Sequence, residues 1–115
     1  MNHHLLLHLA GTGEAPQPNL EMAARVARNA RAELPDWTIE LVVQGPQVAL
    51  LATGSELAQE VVSLVDAGFI VSACANSLRS AAVDGEGLAA GVRIVSAAVA
   101  RLATAQIDGA AYIRV

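Results

Sequence analysis

Cys74 is the only cysteine in this chain of 115 residues. It stands where the apolar run Ala67-Gly68-Phe69-Ile70-Val71-Ser72-Ala73 gives way to the helix-start sequence Ala75-Asn76-Ser77-Leu78-Arg79. A thiol just ahead of a helix feels the positive end of the helix dipole and unpaired backbone N–H groups, and both favour the thiolate. Cys74 is therefore a candidate nucleophile. The same position also suits a small buried hydrophobe, the ordinary fate of a lone cysteine.

Ligands of open parallel sheets gather at the carboxyl ends of the strands. His8, at the end of the first expected strand, and Gln44-Gly45-Pro46, at the end of the second, share that edge with Cys74. A dyad of Cys74 and His8, with the imidazole taking the thiol proton, is conceivable. Against it, a single histidine on an apolar strand is more often a packing residue. Asn76 reads first as an N-cap that fixes the turn carrying Cys74, with Ser77 beside it. Gln106 continues a helical stripe through Val99 and Leu102 toward the packed side, where its amide would bond to the backbone of a neighbouring loop or subunit, or else to a ligand.

Other chemistries are excluded or disfavoured by composition. All seven basic residues are arginines, and the formal net charge is −4, so the chain offers no electrostatic footprint for nucleic acid. Without lysine there is no Schiff base and no P-loop lysine. One cysteine allows neither an intrachain disulfide nor a Cys-x-x-Cys pair, which makes the cytoplasm the expected compartment. Gly11-Thr12-Gly13 follows an expected strand, but the third glycine of a dinucleotide fingerprint is missing and Pro16 and Pro18 interrupt the site of the phosphate-binding helix. His3, His4, His8 and Cys74 show no metal-ligand spacing, and Glu14, Asp36, Asp66, Asp84 and Asp108 sit at turns and helix ends rather than as paired carboxylates. No metal or organic cofactor is expected. Gln44, Gly45 and Pro46 break the longest apolar run, so no membrane span is expected, and the N-terminal residues lack the basic start and length of a signal peptide. Hydrophobic residues at 54% against 16% charged suggest that some apolar surface is covered by other subunits.

The elements that must position these residues alternate between short apolar runs and amphipathic stretches, the pattern of strand-helix units around a parallel sheet. Strands are expected at about 4–9, 38–43, 69–73, 92–95 and 110–114. Asn19 caps a first helix running to about Leu34, with Met22, Ala23, Val26, Ala27, Ala30 and Leu34 on its packed face and Arg25, Arg28 and Arg31 on its solvated one. Residues 47–51 read as a short, irregular or partly helical segment. Thr53-Gly54-Ser55-Glu56 reads as a capping box for a helix over about 54–66 that stops at Gly68, and Ser96 as the cap of a last helix over about 97–108, closed by Gly109. Residues 1–115 form one domain, long enough to bury a core without staples.

Four stretches carry a family likeness: Ile39-Glu40-Leu41-Val42-Val43-Gln44-Gly45-Pro46, Val71-Ser72-Ala73-Cys74-Ala75-Asn76-Ser77-Leu78, Gly91-Val92-Arg93-Ile94-Val95, and Arg101 through Arg114. In order and spacing they resemble the DsrE/DsrF-like family of small sulfur-relay and related proteins, also called YchN-like. The resemblance implies a three-layer α/β/α sandwich with a five-stranded, mainly parallel sheet, and homotrimers or hexamers. It also implies that Cys74 matches the cysteine that carries a persulfide in the sulfur-relay members. The expected function is then a sulfur carrier that takes sulfur from a donor and passes it to a partner thiol, with His8, Gln44, Gly45, Asn76, Ser77 and Gln106 around Cys74. With no second cysteine, the acceptor must be another molecule. The alternative is a non-catalytic oligomeric module that binds a small ligand or protein, with Cys74 structural. A cysteine hydrolase built on Cys74 and His8, with an oxyanion hole at the helix start, ranks third.

Overall fold

A computed structural model describes residues 3–115. Five strands, β1 (His4–Leu9), β2 (Thr38–Val43), β3 (Ile70–Cys74), β4 (Arg93–Val95) and β5 (Ala111–Arg114), form one sheet in the order β4-β3-β2-β1-β5. Every pairing between them is parallel. Four α-helices connect them: α1 (Leu20–Glu33), α2 (Ala58–Asp66), α3 (Ala75–Ser80) and α4 (Ala98–Ile107). The fold is an α/β/α sandwich.

Topology decides how many helices each face receives. The chain steps outward from β1 through β2 and β3 to β4, and right-handed crossovers place α1, α2 and α3 on one face. The return to β5, beyond β1, reverses the direction and carries α4 to the other face. Strand alternation follows this division. Leu5, Leu7, Leu9, Ile39, Leu41, Val43, Val71 and Ala73 pack under the first three helices. Leu6, Val42 and Cys74 pack under α4, which meets them with Ala98, Leu102 and Ala105. With both faces covered, the central strands read as near-continuous apolar runs.

The strands lie within a residue of their expected positions, and Asn19 caps α1 by accepting the Met22 N–H at 2.8 Å. Four expectations are corrected. Met22 is exposed while Ala24 is buried, so the packed stripe of α1 is rotated toward Ala23, Ala24 and Ala27. The capping box at Thr53 does not form: the Thr53 N–H bonds the Gly87 carbonyl at 2.8 Å beside an Ala52–Leu88 bridge, and α2 starts only at Ala58. Ser96 does not cap α4. Ala97 holds the cap position, and the first N–H of the helix, at Ala98, goes to sulfur instead. Finally, α4 packs through Ala98, Leu102 and Ala105, which leaves Val99 and Gln106 on its outer side. Residues 46–51 form the expected partly helical segment, as a 3-10 turn.

Candidate functional site

Cys74 ends β3 and is itself the cap position of α3, so its sulfur sits where strand hydrogen bonding stops and helical N–H groups begin. On the α4 side of the sheet it forms the floor of a cleft of about 360 Å³, lined by Gln44, Gly45, Asn76, Ser77, Ala98 and Val99 among others. The residue is 3% exposed. Ala98 donates its backbone N–H to Cys74 Sγ at 3.4 Å. Ser77 Oγ accepts the Gly45 N–H at 2.8 Å, which leaves the hydroxyl proton free to turn to the sulfur.

These contacts set the acidity of the thiol. Burial, the largest single influence, pushes the Cys74 pKa up; the hydroxyl and N–H of Ser77, with the N–H groups of Ala98 and Asn76, together outweigh it and hold the thiol below its ordinary value. The site thus favours a thiolate through individual donors supplied by two helices on different elements. Among the described residues, no arginine, aspartate or glutamate lines the cleft.

Gln44 lies one position past β2, on the face that carries Val42, and the β2–β3 register (Val43 opposite Ala73) makes Cys74 its neighbour. Gly45 turns the chain away with φ +85°, and a Cβ there would stand 3.3 Å from the Gly11 carbonyl oxygen, so the rim of the cleft is built for glycine.

His8 does not pair with Cys74. It lies on β1, two strands from β3, and both ring nitrogens are engaged: Nε2 with Gln44 Oε1 at 2.8 Å and Nδ1 with the Tyr112 hydroxyl at 2.7 Å. The dyad is therefore replaced by a chain of contacts in which His8 reaches the cleft only through Gln44. Asn76 is exposed and lies within α3 rather than capping it, and its side-chain oxygen accepts from Arg79. Gln106 lies outside the cleft: its Nε2 donates to the Leu102 carbonyl of its own helix at 3.1 Å.

A second polar group sits deeper under α4. Glu40, 1% exposed, accepts Arg101 Nε at 3.0 Å and Nη2 at 2.7 Å, the Ser72 hydroxyl at 3.0 Å, and His4 Nε2 at 3.0 Å. This cluster, Ala98 and Tyr112 lie outside the candidate residues that the sequence marks. Glu40 carried a signal, since a carboxylate in the run Ile39-Glu40-Leu41-Val42 must be paired if buried. Ala98 acts through its backbone, so its side chain carried none. Among the described residues, no three His, Cys, Asp or Glu side chains converge as a metal-ligand group, and no helix is long and apolar enough to cross a membrane.

Comparison with solved structures finds the same fold in proteins of similar size. The Methanobacterium thermoautotrophicum protein MTH1491, described as of unknown function, is 31% identical, with a TM-score of 0.86 over 98% of this chain and 99% of that one. The chain belongs to the same family as MTH1491. The ychN protein from E. coli superposes with a TM-score of 0.80 at 16% identity over 100% of both chains. BT1422 from Bacteroides thetaiotaomicron, also described as of unknown function, gives 0.71 at 19% identity over 96% of this chain and 93% of that one. These two likenesses show the fold, which is DsrE/YchN-like. No protein-family model matches the sequence, and no curated protein matches it.

Proposed function

We propose that this family member is a sulfur carrier that holds a persulfide on Cys74 and passes its outer sulfur to a partner thiol. The observation that carries the reading is a thiol at the floor of a cleft, with hydrogen-bond donors from Ser77 and Ala98 holding its acidity up despite burial. The Cys74 thiolate attacks the outer sulfur of a donor persulfide, the S–S bond of the donor breaks, and the donor leaves as a thiolate while Cys74 becomes a persulfide. In the second step an acceptor thiolate attacks the outer sulfur, and the Cys74 thiolate departs. Neither step changes the total number of electrons or calls for a metal. Donor and acceptor are separate molecules, because the chain has no second thiol. A reducing cytoplasm suits such a cysteine. Assembly into homotrimers or hexamers is part of the proposal and is supported by the exposed apolar side chains Val99 and Ile107 on α4 and Ile113 on β5.

Intact-mass measurement after incubation with inorganic polysulfide tests this reading. The wild-type protein is expected to gain one sulfur atom and Cys74→Ser none. No gain in the wild type ends the proposal.

The near-complete burial of Cys74 and the uncharged walls of the cleft favour one other reading, a small-ligand or protein-binding module in which the cysteine is structural. It expects a thiol that reagents reach only on unfolding. Fast alkylation of the folded protein at neutral pH would count against it.

A further inference from the structure

The Gln44 side chain has one oxygen and one nitrogen to dispose of, and the structure uses them differently. Oε1 is held by His8 Nε2 at 2.8 Å, and His8 Nδ1 is held by the Tyr112 hydroxyl at 2.7 Å. The neutral imidazole satisfies both bonds when Nε2–H donates to Gln44 and Nδ1 accepts from tyrosine. The row runs from the edge strand β5 through β1 to the end of β2, three neighbouring positions of the sheet, with the amide oxygen of Gln44 facing the ring. The other end, the Nε2 amino group, belongs to a residue that lines the cleft and neighbours Cys74 across the β2–β3 pairing.

We propose that Gln44 is the residue that binds the outer sulfur of a Cys74 persulfide, its amide turned for that contact by His8 and Tyr112. This rests on the sulfur-carrier reading and adds to it a role for three side chains. The inner sulfur already has its donors, the N–H groups of Ala98, Ser77 and Asn76 and the Ser77 hydroxyl. The free space beside the sulfur is the cleft that Cys74 lines, and among the described residues no arginine or histidine side chain forms its wall. An outer sulfur in the anionic perthiolate form needs a donor, and an amide N–H supplies one without the tight grip of a guanidinium, so that sulfur remains available to an acceptor. Gln44 is the binding residue; His8 and Tyr112 are positioning residues. A ring N–H that donates to the amide oxygen leaves the amino group for the ligand.

The test loads wild type, Gln44→Met and Tyr112→Phe with inorganic polysulfide and follows alkylation of the persulfide with iodoacetamide across pH by intact mass. Gln44→Met keeps the length of the side chain and removes its donor. Its loaded form is expected to react about tenfold more slowly on the acidic side of the profile, with the midpoint moved upward, which is the scale of one lost hydrogen bond to a charged atom. Tyr112→Phe, which removes one hydroxyl from the β5 edge, is expected to move the profile in the same direction by less. Both shifts are expected to be larger for the loaded protein than for the free thiol, an asymmetry that general loosening of the fold would not produce. Loaded profiles that coincide with wild type, or shifts equal in the loaded and free forms, overturn the inference while leaving the carrier reading intact. A wild-type protein that takes up no sulfur overturns both.

Discussion

The backbone N–H of Ala98 points at Cys74 Sγ from 3.4 Å, joining the first turn of α4 to the last residue of β3. Ala98 is itself 1% exposed and packs in the same cluster as Cys74, Leu6 and Val42. Ala98→Leu would force α4 outward at a cost of about 1–3 kcal/mol of overpacking. The expected result is a lower unfolding midpoint in urea together with a higher thiol pKa, read from the pH dependence of iodoacetamide alkylation. A destabilised variant with an unmoved alkylation profile would show that this N–H does not tune the sulfur.

Ser77 serves two partners at once, the Gly45 N–H and the Cys74 sulfur. Ser77→Ala removes a donor from the thiolate and leaves the Gly45 N–H without its acceptor. Alkylation of Cys74 is expected to need a pH about one unit higher, the scale of one hydrogen bond to a charged group. Stability should fall by about 1 kcal/mol for the lost acceptor. A profile that stays at the wild-type position would contradict the assigned role.

Glu40 and Arg101 pin α4 to the middle of the sheet. Arg101→Met strands a carboxylate that is 1% exposed, and unfolding measurements should show a loss of about 3 kcal/mol. The double change Glu40→Leu with Arg101→Met is expected to be less damaging than Arg101→Met alone, because hydrocarbon then replaces both charges.

Acid should expose the same cluster. Burial pushes the Glu40 carboxyl up, but the hydrogen bonds from Arg101 and Ser72 and the charges of Arg101 and His4 outweigh it and leave its pKa below the ordinary value. A carboxylate depressed in the folded state adds stability above the unfolded-state pKa, and that stability is lost as pH falls through the folded one. Urea midpoints of the wild type are therefore expected to decline below about pH 4.5. Glu40→Gln should flatten that decline while lowering the midpoint at neutral pH. Parallel curves for the two proteins would remove Glu40 from the acid response.

At the rim of the cleft, Gly45→Ala tests the turn itself. With φ at +85° and the Gly11 carbonyl oxygen in the way, a methyl group should cost about 1–2 kcal/mol. Chemical denaturation measures it, and an unchanged midpoint would mean that the turn relaxes without strain.

The sequence by itself determined the alternation of five strands and four main helices, because strand and helix periods and their glycine and proline stops are local properties of the chain. It also determined that Cys74 lies between a strand and a helix, at the edge shared with His8 and Gln44. Tertiary structure decided which groups the sulfur meets. The Ala98 N–H comes from a helix 24 residues away, and its donation to sulfur makes a Ser96 cap unnecessary. His8 was legible as a residue of that edge but not as a partner of Tyr112, 104 residues distant, because only the return of β5 beside β1 brings the two rings together. The misplaced inner face of α4, through Gln106 rather than Ala105, has the same origin. Where α4 lies over the sheet depends on Arg101 reaching Glu40 across 61 residues, and helical spacing alone carries no information about a partner so remote in the chain.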